Sequence, residues 1–173
     1  MGAQGAPARK PGADDIEGFG VAVVREDGRW QCFPMRRAAL RSLAAAEREL
    51  CEMRAAGPVF GLLDIDDEFF IIVRPAPSGT RLLLSDATAA LDYDIAAEAL
   101  ERLDADIDED DLESADPFEE GDLGVLADIG LPDAVLSVIL DEIDLYADEQ
   151  LGRIAGEMGF AEELAAVLER LGR

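Results

Sequence analysis

The chain predicts an α+β protein: a five-stranded antiparallel sheet with helices, in the order ββαβββα, followed by a small acidic all-α C-terminal region. Three observations predict it. Short β-rich runs bounded by turn residues fill the first half, and apolar residues recur at helical spacing in the second. The charge divides between the halves as well. Residues 1–91 carry 11 basic and 13 acidic side chains and residues 92–173 carry 4 and 26, so nearly all of the net charge of −24 belongs to the second half.

Residues 1–18, rich in Gly, Ala and Pro, read as a disordered tail without the apolar core of a signal peptide. The sheet region spans 19–103. It opens with Phe19 to Glu26, the turn dipeptide Asp27-Gly28, and Trp30 to Phe33, which together form a β-hairpin. Arg36 to Ala55 places Leu40, Leu43, Leu50 and Met53 on one helical face and stops at Gly57-Pro58. Val59 to Asp64, Phe69 to Arg74 and Arg81 to Ser85 follow as a meander, broken by Asp66-Asp67-Glu68 and by Pro75 to Gly79. Phe69 to Val73 is apolar without alternation, so this strand needs cover on both faces. The helical run Ile95 to Leu103 is the expected second cover. This order resembles the longin or profilin-like arrangement, whose sheet often serves as a docking or dimerisation platform.

From Asp104 to Asp122, 11 of 19 residues are acidic and none is basic, which predicts a solvated linker. Beyond it, residues 123–173 read as a small helical bundle. Its helices run over Leu123 to Ile129, Pro132 to Ile143, Asp148 to Met158 and Ala161 to Leu171, with Gly130 and Gly159 at their ends and Asp148 near an N-cap.

Composition excludes several chemistries. Without histidine the chain has no Ser-His-Asp triad, no Cys-His pair and no His-ligated zinc. Cys32 and Cys51 match neither a redox pair nor a four-ligand metal site and read as reduced, mostly buried thiols. The glycines form no phosphate-cradling fingerprint, so no cofactor is implied. The run from Asp104 begins like a calcium loop, but Glu109 replaces its glycine and Ala115 its bidentate glutamate. A surface this negative repels nucleic acid and anionic membranes and favours a basic protein partner. A cytoplasmic, non-enzymatic protein is the reading, with homodimerisation through the sheet left open.

The carboxylates Asp64, Asp66, Asp86, Asp92 and Asp94 would support acid-base or magnesium chemistry only if they converged in one pocket. Turn and cap roles are the simpler reading: Asp66 and Asp67 in a hairpin, Asp92 or Asp94 before a helix. The candidate partner-binding residues are Asp86, Asp92, Tyr93, Asp94, Asp108, Asp110, Asp111 and Tyr146.

Four stretches, Gly57 to Pro75, Arg81 to Asp94, Gly121 to Gly130 and Leu145 to Leu151, together resemble the actinobacterial family of tRNA adenosine deaminase-associated proteins. The likeness runs from about Phe19 to Leu171. It implies an accessory protein encoded beside a tRNA adenosine deaminase, with no catalytic residues to carry over. Zinc deaminases need His-x-Glu and Pro-Cys-x-x-Cys, which this chain lacks, so an accessory role fits and the deaminase role does not. The partner so implied is the deaminase itself, docked on its basic surface. The other reading is an acidic mimic of nucleic acid that occupies basic sites through the array from Asp92 to Asp122.

Overall fold

A computed structural model describes residues 16–173. The hairpin forms as its turn residues dictate. Strand β1 (Phe19–Glu26) pairs antiparallel with β2 (Arg29–Pro34), and Asp27 and Gly28 both take positive φ, 54° and 75°, which gives the connection the twist of the strands it joins. After a 3-10 turn at Arg37–Leu40 comes helix α1 (Leu43–Cys51), then β3 (Val59–Ile65), β4 (Phe69–Arg74) and β5 (Arg81–Leu84). A second 3-10 turn, Ala87–Leu91, leads into α2 (Asp94–Arg102). The expected order ββαβββα is therefore present.

The single helix expected over Arg36 to Ala55 is interrupted at Ser42. Its extended backbone lets its hydroxyl accept from the Ala45 N–H at 3.2 Å, so the α-helix starts anew there. Glu98 of α2 accepts from the Leu43 N–H at 3.0 Å and completes the cap.

The acidic stretch 104–122 is not the solvated linker its composition suggests. It contains the six-residue helix α3 (Glu109–Ser114), which buries Leu112, and a two-residue strand β6 (Glu120–Gly121) on the free edge of β5. The sheet thus has six strands in the order β2-β1-β3-β4-β5-β6. Gly121, at φ 123°, is required here because a Cβ would stand 2.5 Å from the Leu82 carbonyl. Two arginines fasten the segment that follows. Arg81 donates to Asp122 at 2.7 Å and to the Gly124 carbonyl at 2.8 Å, and Arg74 donates to Asp128 and to the Val125 carbonyl.

The C-terminal helices are α4 (Asp133–Asp141), α5 (Ala147–Met158) and α6 (Ala161–Arg170), while Leu123 to Ile129 forms only a 3-10 turn at its end, Ala127–Ile129. They do not stand apart as a bundle. Along β4, Phe70 and Ile72 pack into a core with Leu136, Leu151, Ile154, Phe160 and Leu164, whereas Phe69, Ile71 and Val73 face α1 and α2 through Leu43, Leu50, Ile95 and Leu100. The far cover of the sheet is thus α4–α6, and α2 joins α1 on the near face. Three layers result. Trp30 of β2 closes the far core, with its ring 5.3 Å from Phe160 and its N–H donating to the Met158 carbonyl at 3.1 Å. Burying both sheet faces satisfies the unalternating strand, and the pull of its apolar side chains recruits the C-terminal helices.

Of the expected tail 1–18, residues 1–15 lie outside the described residues. Ile16 is buried in the near core, and Glu17 N–H donates to Asp66 at 2.5 Å. Cys32 is buried but Cys51 is exposed, which corrects the expectation of two buried thiols. Burial pushes the Cys32 thiol up to about 12, with the Glu163 carboxylate adding to the effect.

Candidate docking cleft

One end of the sheet gathers the β3–β4 turn, the exit of β5, the loop after α3 and the loop between α4 and α5. Between them lies an open cleft of about 360 Å³. Asp66, Asp67, Glu68, Asp86, Glu119 and Asp141 line it, and no basic side chain does so among the described residues. Apolar side chains share the lining: Phe118, Leu140, Ile143, Leu145 and Tyr146. Ile143 and Tyr146 are 68 % and 69 % exposed, large side chains that the fold leaves in solvent.

The β3–β4 turn is the hub of this end. Asp66 and Asp67 hold left-handed backbone at φ 56° and 57°, a conformation tolerated by Asp better than by most residues but still costly. Their contacts offset that cost. Asp66 accepts from the Glu17 N–H and from the Tyr93 hydroxyl at 2.7 Å. Asp67 accepts from Arg173 at 2.9 and 3.1 Å, and its carbonyl accepts from the Ala147 N–H at 3.1 Å. One turn therefore holds the N-terminal segment, the start of α2, the start of α5 and the last residue of the chain. Burial, with the hydrogen bond to Asp66 behind it, pushes the Tyr93 hydroxyl well above its ordinary range, so it stays a proton donor.

Of the candidate residues, the structure brings Asp86 and Tyr146 into the cleft and bonds Tyr93 to the lining residue Asp66. Asp86 also caps the following 3-10 turn, accepting from the Thr88 N–H at 2.9 Å. Tyr146 precedes α5, and its own N–H donates to Glu149 at 3.0 Å. Asp92 and Asp94, both exposed, flank Tyr93 and lie outside the cleft lining. Asp108, Asp110 and Asp111 lie exposed at the start of α3 and are likewise outside it. The five carboxylates weighed for acid-base or magnesium chemistry are divided: Asp66 and Asp86 line the cleft, Asp64 is buried in β3, and Asp92 and Asp94 are elsewhere.

Sequence reasoning missed Glu68, Glu119, Asp141 and Ile143 as cleft residues. Ile143 carried a signal, an apolar residue isolated between Glu142 and Asp144. No signal marked Glu119 or Asp141, since only folding brings their loops beside the β3–β4 turn.

The fold and the cleft together define an acidic three-layer α+β protein whose cleft at one sheet end mixes carboxylates with apolar side chains. Residues 18–161 match the family described as Rv3753c-like tRNA adenosine deaminase-associated protein, and the chain belongs to that family. It is 76 % identical, over the full length of both chains, to Protein Rv3753c of Mycobacterium tuberculosis (strain ATCC 25618 / H37Rv). No solved structure matches the chain. Among the described residues, no helix is long and apolar enough to cross a membrane.

Proposed function

We propose that the protein is a non-enzymatic accessory factor that docks on the basic, tRNA-gripping surface of a tRNA adenosine deaminase, with the cleft as the contact. The observation that carries this reading is the pairing of two exposed apolar side chains, Ile143 and Tyr146, with a lining of carboxylates. An exposed aromatic in an otherwise polar surround is the usual anchor of an interface, and the charges around it select a basic partner and speed encounter. The family description supplies the partner class. An enzyme that binds tRNA must present Lys and Arg to phosphates, so an acidic companion has a surface to meet.

The test is co-purification with the tRNA adenosine deaminase of the same organism, at low and high salt. Binding that survives high salt and is lost in Tyr146→Ala or Ile143→Asp supports the cleft. Absence of binding at either salt overturns the reading. The exposed acids of α3 favour one alternative, a mimic of nucleic acid on the array from Asp92 to Asp122. Such a complex dissolves steeply as salt rises and ignores Tyr146→Ala, but weakens when Asp108, Asp110 and Asp111 become Asn.

A further inference from the structure

We propose that Asp64, Asp67 and Asp148 form a binding site for one hard divalent cation of the magnesium, manganese or calcium kind, which pins α5 to the β3–β4 turn. The three carboxylates come from three places in the fold: the end of β3, the turn after it, and the first turn of α5. One oxygen from each lies within 4.8 Å of the other two. Oxygens sharing a cation at about 2.1–2.5 Å stand roughly 3–5 Å apart, so the spacing suits a common ion.

A separate observation points to a ligand. Asp64 is 0 % exposed, and while its Oδ1 accepts from the Asp67 N–H at 2.8 Å, its Oδ2 has no hydrogen-bond partner. A buried carboxylate oxygen without a donor is costly, and the fold would be expected to supply a counter-charge there. Among the described residues, the guanidinium at the cluster is that of Arg173, and its hydrogen bonds there go to Asp67, one guanidinium against three carboxylates. The scaffold is already in place, because the bond from the Ala147 N–H to the Asp67 carbonyl sets the start of α5 against the turn. Asp67 and Asp148 are only half-buried, so an ion and its waters have a way in. All-oxygen donors in a chain without histidine select a hard cation over zinc or copper.

One other arrangement would satisfy Asp64 Oδ2: a proton shared with Asp67. It leaves Asp148 without a role, and the two arrangements respond differently to experiment. The full chain is titrated calorimetrically with Mg²⁺, Mn²⁺ and Ca²⁺ salts at mildly alkaline pH, with Mn²⁺ binding also followed by electron paramagnetic resonance. Saturable binding of one cation per chain is expected. Asp64→Asn and Asp148→Asn should each weaken it on the order of tenfold or more, and Asp110→Asn should leave it unchanged. Arg173→Gln should tighten it by removing the competing guanidinium from Asp67. Asp148→Asn, at a half-buried helix start, keeps the test independent of folding, with circular dichroism as the check. Equal binding by all four variants would mean only the ion atmosphere of an acidic protein and would overturn the site. So would absence of saturable binding, with or without a pH-dependent melt that Asp64→Asn abolishes.

Discussion

The β3–β4 turn and the acidic stretch around α3 look alike in sequence, since both are runs of Asp and Glu, yet the fold uses them in opposite ways. In the turn, Asp66 takes an amide and a tyrosine hydroxyl and Asp67 takes an arginine, and each of these donors comes from a distant part of the chain. Around α3, Asp108, Asp110 and Asp111 are exposed, and the helix is held down by Leu112 alone among its six residues. Acidity by itself therefore says little about role. What matters is whether the tertiary structure delivers a donor to each carboxylate.

The largest break of this contrast should come from Asp66→Ala. It removes two acceptor bonds and puts a Cβ without a compensating side-chain bond at positive φ, so a loss of about 2–4 kcal/mol is expected in urea unfolding. A loss below half a kcal/mol would show that the turn is not the hub its contacts describe.

Next in size is the pH response of Asp64. Burial, with the neighbouring Asp67 carboxylate, pushes its carboxyl up to about 8, while Arg173 pulls weakly the other way. The folded state thus holds this proton more tightly than the unfolded chain does. The stability it contributes is full below the unfolded value near 4 and is lost as pH rises through about 8. Metal-free protein should therefore melt at lower temperature at pH 9 than at pH 6, by a larger margin than Asp64→Asn does. Asp67, Asp148 and Arg173 face Asp64, so all three are kept intact in this comparison. Equal slopes for the two proteins would count against a neutral buried Asp64.

Tyr93→Phe sharpens the contrast on a finer scale. Only the hydroxyl bond to Asp66 is lost, and the ring stays against Phe69 at 5.1 Å, so about 1 kcal/mol is expected from the same unfolding curves. Smallest of all, Asp110→Asn together with Asp111→Asn should shift stability by no more than about half a kcal/mol. A larger loss would place unrecognised contacts on α3. The thiols offer an independent check on the layers: Cys51 should react promptly with a thiol reagent at neutral pH and Cys32 only on unfolding.

Much of the sheet was legible because its signals are local. Asp27-Gly28 sets a hairpin whatever surrounds it, and β-rich runs between Asp66-Asp67-Glu68 and Pro75 to Gly79 leave few other ways to fold. Two helix ends were legible for the same reason, with Pro132 opening α4 and Gly159 closing α5. The double burial of β4 was legible too, but not which helices supply the second cover. Amphipathic faces announce that they need a partner without naming it, so the cover expected from Ile95 to Leu103 is supplied instead by α4–α6. Strand β6 left no trace at all. Two residues have no periodicity, and their pairing with Leu83 and Leu84 is made by backbone groups common to every sequence.

The cleft was legible by halves. Of the eight candidate residues, Asp86 and Tyr146 line the cleft and Tyr93 bonds to its lining residue Asp66. Asp92, Asp94 and the three candidate acids around α3 lie outside it, because only folding decides which loops meet at that end of the sheet.

By itself the sequence determined that histidine-based chemistry is absent, and it determined the hairpin and the five main strands, because composition and turn geometry act over a few residues. Tertiary structure alone decided that α4–α6 cover the far face, that the acidic stretch docks on β5, and that Asp64, Asp67 and Asp148 share one place. Those outcomes depend on which buried surfaces and unpaired backbone edges meet between segments far apart in the chain, and burial is non-directional until the whole core closes.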